Sequence, residues 1–282
     1  MTEESFTPDR PKLYHFRLDR ILGKGGTGVV YRGIDQTKGE VFAVKRFHEN
    51  FFRSGFHLRD LKRSVKKFKT LQHENVVQIY DFFDSDPKEG NCMIMEYVDG
   101  PSLQWYLRNR PWDLQERLVI ASQICNGLQY LHDSGVVHYD FKPHNVIFTR
   151  RGKPKIADYS LYGGSFLMEL FDRSIGEQVT PMYVAPEFLR KEKGTPAVDQ
   201  YSFGITMYMM FTERVPYAVD NIRMLYECHM RVNPEHPSVV NPKCPRDLGD
   251  IIMKLLAKQP KDRFTDCDEL RIALSRVGRG RI

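Results

Sequence analysis

Three of the four glycines in the run Leu22-Gly23-Lys24-Gly25-Gly26-Thr27-Gly28-Val29-Val30 are spaced G-x-G-x-x-G, with a valine two residues after the last. Glycines let a backbone approach phosphate groups closely and point its N–H groups at them. Glycine-rich turns are common, so the run alone also reads as an ordinary turn. Its setting narrows the choice. It lies between two strand-like runs and opens no helix, unlike a dinucleotide-binding or Walker-type loop. On the next strand-like run, Phe42-Ala43-Val44-Lys45, the period of two points Ala43 and Lys45 to one side, towards the glycines. A lysine there can neutralise α- and β-phosphates; taken singly it is equally a solvated strand lysine.

A second group is His138-Tyr139-Asp140-Phe141-Lys142-Pro143-His144-Asn145, with a carboxylate, an ammonium two residues on and an amide three further. This segment resembles the catalytic loop of the protein kinase family, H-R-D-L-K-P-x-N. The resemblance implies that Asp140 takes the proton of an attacking hydroxyl, Lys142 stabilises charge on the γ-phosphoryl group and Asn145 holds magnesium. Ala157-Asp158-Tyr159-Ser160 stands where the family has D-F-G, which makes Asp158 the carboxylate ligand of magnesium. In isolation Asp-Tyr-Ser reads as a loop turn. The short runs Val146–Phe148 and Lys153–Ala157 read as a hairpin that would hold Asn145 near Asp158.

Further motifs follow in the family's order. Thr180-Pro181-Met182-Tyr183-Val184-Ala185-Pro186-Glu187 matches T-P-x-Y-x-A-P-E, and Asp199-Gln200-Tyr201-Ser202-Phe203-Gly204 resembles D-x-x-S-F-G. Pro260-Lys261-Asp262-Arg263-Phe264 supplies the arginine that pairs, in the family, with the A-P-E glutamate, here Glu187. Pro260–Phe264 also resembles bacterial kinases of the eukaryotic type. The resemblance implies Mg-ATP as cofactor, a protein substrate, and nucleotide contacts from Leu22, Gly23, Gly25, Gly28, Val30, Ala43, Lys45, Met95, Glu96, Val98 and Ile147. It implies transfer of the γ-phosphoryl group to serine or threonine, with Lys142 and Thr180 as the signs of that specificity. The alternative is a chain that keeps the fold as an ATP-binding or scaffolding module.

The elements that must position these residues are visible as periodicities. Strand-like runs occur at Phe16–Leu22, Val29–Gly33, Val41–Arg46, Val76–Phe83 and Cys92–Val98. A helix over residues 57–72 is inserted among them, with Leu58, Leu61, Val65, Phe68 and Leu71 on one face. After Gly100 the pattern turns helical. Leu118, Ala121, Ile124, Leu128 and Leu131 form one stripe, and further helices are predicted over 198–211, 221–231, 246–256 and 265–275. The layout is α+β, with a small antiparallel β lobe over 14–98 and a larger, mainly helical lobe over 99–275, and the resemblance implies that this is the two-lobed protein kinase fold. Residues 1–13 read as a flexible arm and 276–282 as a basic tail.

Three positions depart from the family pattern. The glutamate that would pair with Lys45 falls at Ser64, so Asp60, one turn earlier, or no group at all, orients that lysine. Tyr139 replaces the arginine that receives a phosphorylated activation loop, so activity is expected without phosphorylation of Ser160, Ser165, Ser174 or Thr180. Ser160 replaces a glycine, which restricts the backbone without showing which state it favours. Within the same segment, Phe166–Phe171 suits either a short helix gating the inserted one or a loop folded onto the large lobe.

Composition bounds the rest. The chain has 282 residues, 41% hydrophobic and 28% charged, with a net charge of +6, ordinary for a globular protein with a core. Residues 53–69 carry seven Lys or Arg against one acid, Asp60, so the excess is concentrated on the inserted helix. That face reads as a docking surface for an acidic or phosphorylated partner, or as a solvated face; no nucleic acid is expected. Five scattered cysteines without a CxxC pair read as reduced thiols. The polar, acidic start is unlike a signal peptide, and no run is long enough to span a bilayer. These features place the chain in the cytoplasm.

Overall fold

The computed structural model describes residues 16–49, 58–86, 90–159 and 181–278. They fall into two compact units, residues 16–49 with 79–97 and residues 58–78 with 98–278.

The first unit is an antiparallel sheet of β1 (Phe16–Gly25), β2 (Gly28–Asp35), β3 (Val41–Phe47), β4 (Ile79–Asp86) and β5 (Gly90–Glu96), in the order β1-β2-β3-β5-β4. The period of two separates its faces. Val44 is fully buried with Phe16, Cys92 and Ile94, and Phe42 and Tyr80 pack against them. The Phe42 ring meets Phe16 and Tyr80 edge-on, at 5.4 and 5.5 Å between centroids, the arrangement that aromatic quadrupoles favour. Ala43, Lys45 and Phe47 occupy the opposite face of β3 and are also buried. Along the ladder Val30 pairs with Lys45, and Lys45 with Met93.

In the second unit α1 (Leu58–Phe68) buries Leu61, Val65 and Phe68, followed by Leu71 beyond its end. The helix is shorter than the predicted 57–72. After Phe68 the chain closes in turns, with Thr70 N bonded to Lys67 O and Leu71 N to Phe68 O. The strand predicted over Val76–Phe83 is displaced to Ile79–Asp86. Val76 instead bridges Ile156, and Asn75 and Val77 exchange backbone hydrogen bonds with the same residue. The first residues of this apolar run serve another strand.

Helix α2 (Leu103–Asn109) is additional to those the apolar spacing predicts; Ser102 caps it. The long helix α3 (Leu114–Asp133) opens with a capping box in which Asp113 and Glu116 bond each other's backbone N–H. Its stripe is buried as expected, from Leu118 to Leu131. The predicted hairpin forms as β6 (Val146–Phe148) and β7 (Pro154–Ile156). There follow α4 (Pro186–Leu189), α5 (Pro196–Thr212), α6 (Ile222–Arg231), α7 (Pro237–Val240), α8 (Arg246–Leu255) and α9 (Cys267–Ser275). Helix α5 is buried on nearly every side from Val198 to Thr212, so it is the axis on which this unit packs. All five cysteines are free, and all but Cys228 are buried. Among the described residues, no helix is long and apolar enough to cross a membrane.

Candidate active site

In the second unit the segment from His138 to Asn145 is held from several directions. Asp199, fully buried near the start of α5, accepts hydrogen bonds from the backbone N–H groups of His138 and Tyr139, each 2.8 Å. His132, in the last turn of α3, lies 2.8 Å from the same carboxylate through Nε2. Tyr139 takes a left-handed backbone with φ 66°, a conformation that costs on the order of 1–3 kcal/mol for a side chain of this size. The N–H bond to Asp199 fixes that turn, and Asp140 comes next.

The Asp140 carboxylate faces Lys142, with Oδ2 2.7 Å from Nζ. Its carbonyl accepts from Asn145 Nδ2 at 2.9 Å, which leaves the amide oxygen of Asn145 as the free-lone-pair end of that side chain. Through its backbone carbonyl, Asn145 accepts the N–H of Ala157, next to Asp158, at 2.8 Å. The β6–β7 hairpin therefore brings the two expected metal ligands together. An amide oxygen and a carboxylate are hard donors suited to magnesium, so the residues present fit that ion. Asp158 is itself left-handed, φ 56°. Tyr159, almost fully buried, donates its hydroxyl to Val77 O at 3.0 Å and meets the Phe68 ring edge-on.

Behind this segment, Glu187 and Arg263 form a buried two-bond ion pair of 2.6 and 2.8 Å. Ser202 Oγ donates to Tyr183 O at 2.8 Å. The residues from Pro181 to Glu187 are thus tied to α5 and to the chain ahead of α9. Tyr183 has its hydroxyl pKa pushed up to about 12, chiefly by burial, with Arg108 lowering it and Asp140 raising it.

In the first unit β1 and β2 meet in a hairpin turn, with Gly25 paired to Gly28. His48, which the sequence reading did not single out, donates its backbone N–H to Thr27 O, and its Nε2 lies 3.2 Å from Gly25 O. The three glycines are not equivalent. A Cβ at Gly28 would overlap Arg46 O across the ladder, whereas one at Gly23 would meet nothing within 4 Å. Gly28 is required by strand packing, whereas Gly23 has room for a side chain. Gly28→Ala is expected to lower the melting temperature, with an overpacking penalty of roughly 1–3 kcal/mol. Gly23→Ala should leave melting unchanged. A Gly28→Ala protein that melts like the natural one would contradict this division.

Lys45 is buried with its ammonium 5.8 Å from the Phe47 ring centre, within cation–π reach. Ala43 and Met95 are buried partners across β3 and β5, Val30 and Glu96 are half-buried, and Leu22 is exposed. Val98 and Ile147 belong to the second unit, where Ile147 bridges Ser102. Thr180 and Ser160 lie outside the described residues, as do the other serines of that segment, the Phe166–Phe171 run, Arg53, residues 1–13 and residues 279–282. The side chains of Arg59 and Asp60 are outside them too. Ser64 is half-buried on α1.

Known proteins resemble this chain along most of its length. The family model of the protein kinase domain matches residues 16–273. A probable serine/threonine-protein kinase of Streptomyces coelicolor is 32% identical over 265 residues, covering 91% of this chain and 39% of that protein. The serine/threonine-protein kinase Pkn1 of Myxococcus xanthus is 30% identical, with 92% and 38% covered. The serine/threonine-protein kinase PrkC of Bacillus subtilis is 26% identical, with 90% and 39% covered. The chain thus spans about two fifths of the length of these relatives. A family match over nearly the whole sequence, on a chain that holds Asp140, Lys142, Asn145 and Asp158 in one unit, places it in the protein kinase domain family.

Proposed function

We propose that the chain transfers the γ-phosphoryl group of ATP to serine or threonine hydroxyls of proteins. The observation that carries this reading is the Asp140 carboxylate, 2.7 Å from Lys142 and mounted on a backbone that Asp199 and Asn145 hold. Asp140 takes the proton of the attacking hydroxyl as its oxygen bonds to the γ-phosphorus and the bond to the β-phosphate oxygen breaks, releasing ADP. Lys142 offsets charge on the transferred group, and Lys45 that on the α- and β-phosphates. Magnesium, held by Asn145 and Asp158, would supply further neutralisation of the phosphates. The test is transfer from labelled ATP with magnesium, to the chain itself and to a generic protein, by the natural chain and by Asp140→Asn. No transfer from the folded natural chain would favour the scaffolding alternative.

The same reading includes independence from activation-loop phosphorylation. Tyr139 stands where the family has a phosphate-binding arginine. Its ring lies against Gly194, where a Cβ would overlap Cε1, and its hydroxyl donates to Gly194 O at 3.3 Å. This neutral contact ties the catalytic loop to the chain after α4 without any phosphate. Phosphatase treatment should leave the rate unchanged, while Gly194→Ala should push Tyr139 aside and reduce kcat by about tenfold, the effect of 1–2 kcal/mol of overpacking at the base. Adding Tyr139→Ala should relieve the clash. An enzyme silenced by phosphatase and revived by loop phosphorylation would overturn this account. The exposed Arg63, Lys66 and Lys67 of α1 support the proposal of an acidic or phosphorylated docking partner there.

A further inference from the structure

The catalytic loop carries a positive rim that the transfer reaction itself does not use. Helix α2 is fastened to the strand that follows the loop. Ser102 bridges Ile147, Phe148 N donates to Pro101 O at 2.9 Å, and the Tyr106 ring meets Phe148 at 4.7 Å. The helix also packs on the 3-10 turn Pro143–Asn145. Arg108, in its last turn, is thereby carried to the side of Asp140. It is exposed and makes no ion pair or hydrogen bond among the described residues. Its neighbour Arg110 is committed to Glu116 at 3.5 Å and to the Tyr106 ring.

Two neighbouring side chains register this charge. His144 is held below its ordinary pKa by partial burial first and then by Lys142 and Arg108, against Asp140. Tyr183 feels Arg108 and Asp140 together. Its hydroxyl rests on Met209 Sδ at 3.6 Å, so α5 presents a thioether there and no carboxylate. Asp140 is already paired with Lys142. Among the described residues, the uncommitted charge on this rim is positive.

We infer that Arg108 selects substrates with an anionic side chain near the acceptor hydroxyl. The inference rests on the kinase reading above and names its substrate class. An aspartate, a glutamate or a phosphoserine supplies the same chemistry.

Matched serine peptides flanked by aspartate, by phosphoserine, by neutral residues or by lysine test it, with the natural chain, Arg108→Ala and Arg108→Glu. Acidic peptides should exceed neutral ones by roughly fivefold in kcat/KM, as for one exposed charge pair. The gain should come through KM, with kcat unchanged. Arg108→Ala should erase the preference and Arg108→Glu reverse it towards lysine peptides. A larger gain with phosphoserine than with aspartate would identify a primed substrate; equal gains would identify acidic sequence. Equal rates on acidic and neutral peptides, or an equal loss on both in Arg108→Ala, would overturn the inference. Binding of a labelled acidic peptide, measured without nucleotide, separates the two readings. Binding that depends on Arg108 without transfer to any peptide would sink the kinase reading and leave the anion site standing.

Discussion

Asp140→Asn is expected to lower phosphate transfer by about 10²–10⁴, the range for removal of a general base, while the protein stays folded. Asparagine keeps the shape of the side chain. It also leaves the backbone bonds of residue 140 in place, from Asn145 Nδ2 to its carbonyl and from its N–H to His138 Nδ1. What it loses is the acceptor for the hydroxyl proton and the negative partner of Lys142. The Asp140 side chain is 27% exposed, so loss of that ion pair should change stability by no more than about 1 kcal/mol. Lys142→Met removes the other half of the pair. Combined with Asp140→Asn it should add little, because the two act on one transition state. Incorporation of labelled phosphate gives the rate, and thermal melting confirms the fold. Transfer by Asp140→Asn at the natural rate would remove Asp140 from the role of base.

The candidate site residues are legible in the sequence because they are local. Asp140, Lys142 and Asn145 lie within six residues, and the β6–β7 hairpin that joins Asn145 to Asp158 reads from short apolar runs. The buried faces of α1 and α3 were legible for the same reason, since helical periodicity needs no knowledge of the partner. What the sequence concealed depends on residues far apart. His132 braces Asp199 across 67 positions and Tyr139 rests on Gly194 across 55; no spacing rule connects such pairs. The strand over Val76–Phe83 was displaced because an apolar run does not say which neighbour its backbone will pair with. Helix α2 escaped notice because, at seven residues, it is too short to show a stripe, yet it carries Arg108. The glycines of the hairpin look alike in sequence, and only the nearness of Arg46 O separates Gly28 from Gly23.

Glu187→Ala should destabilise the second unit by roughly 3–5 kcal/mol, the penalty for stranding one member of a buried ion pair. Arg263 is fully enclosed at its side chain and Glu187 nearly so. The guanidinium spends its donors on three pieces of chain. Nη1 and Nη2 bond Glu187, Nη1 also bonds Ala197 O at 2.7 Å, and Nε bonds Ala257 O at 3.0 Å. Its carbon lies 5.0 Å from the Tyr201 ring centre. Without Glu187 a buried positive charge keeps only neutral partners. Arg263→Lys should cost nearly as much, since an ammonium cannot reproduce the planar fork that reaches all three. Paired apolar replacement, Glu187→Leu with Arg263→Met, removes both charges and should recover much of the loss. That recovery distinguishes a stranded charge from lost packing. Because Glu187 directly follows Tyr183–Pro186, loosening it should raise the KM for a protein substrate before the KM for ATP. Denaturant unfolding measures the first effect and steady-state kinetics the second. A Glu187→Ala protein within about 1 kcal/mol of the natural one, the scale of an exposed pair, would show that water reaches the guanidinium and that the pair is not the anchor its burial implies.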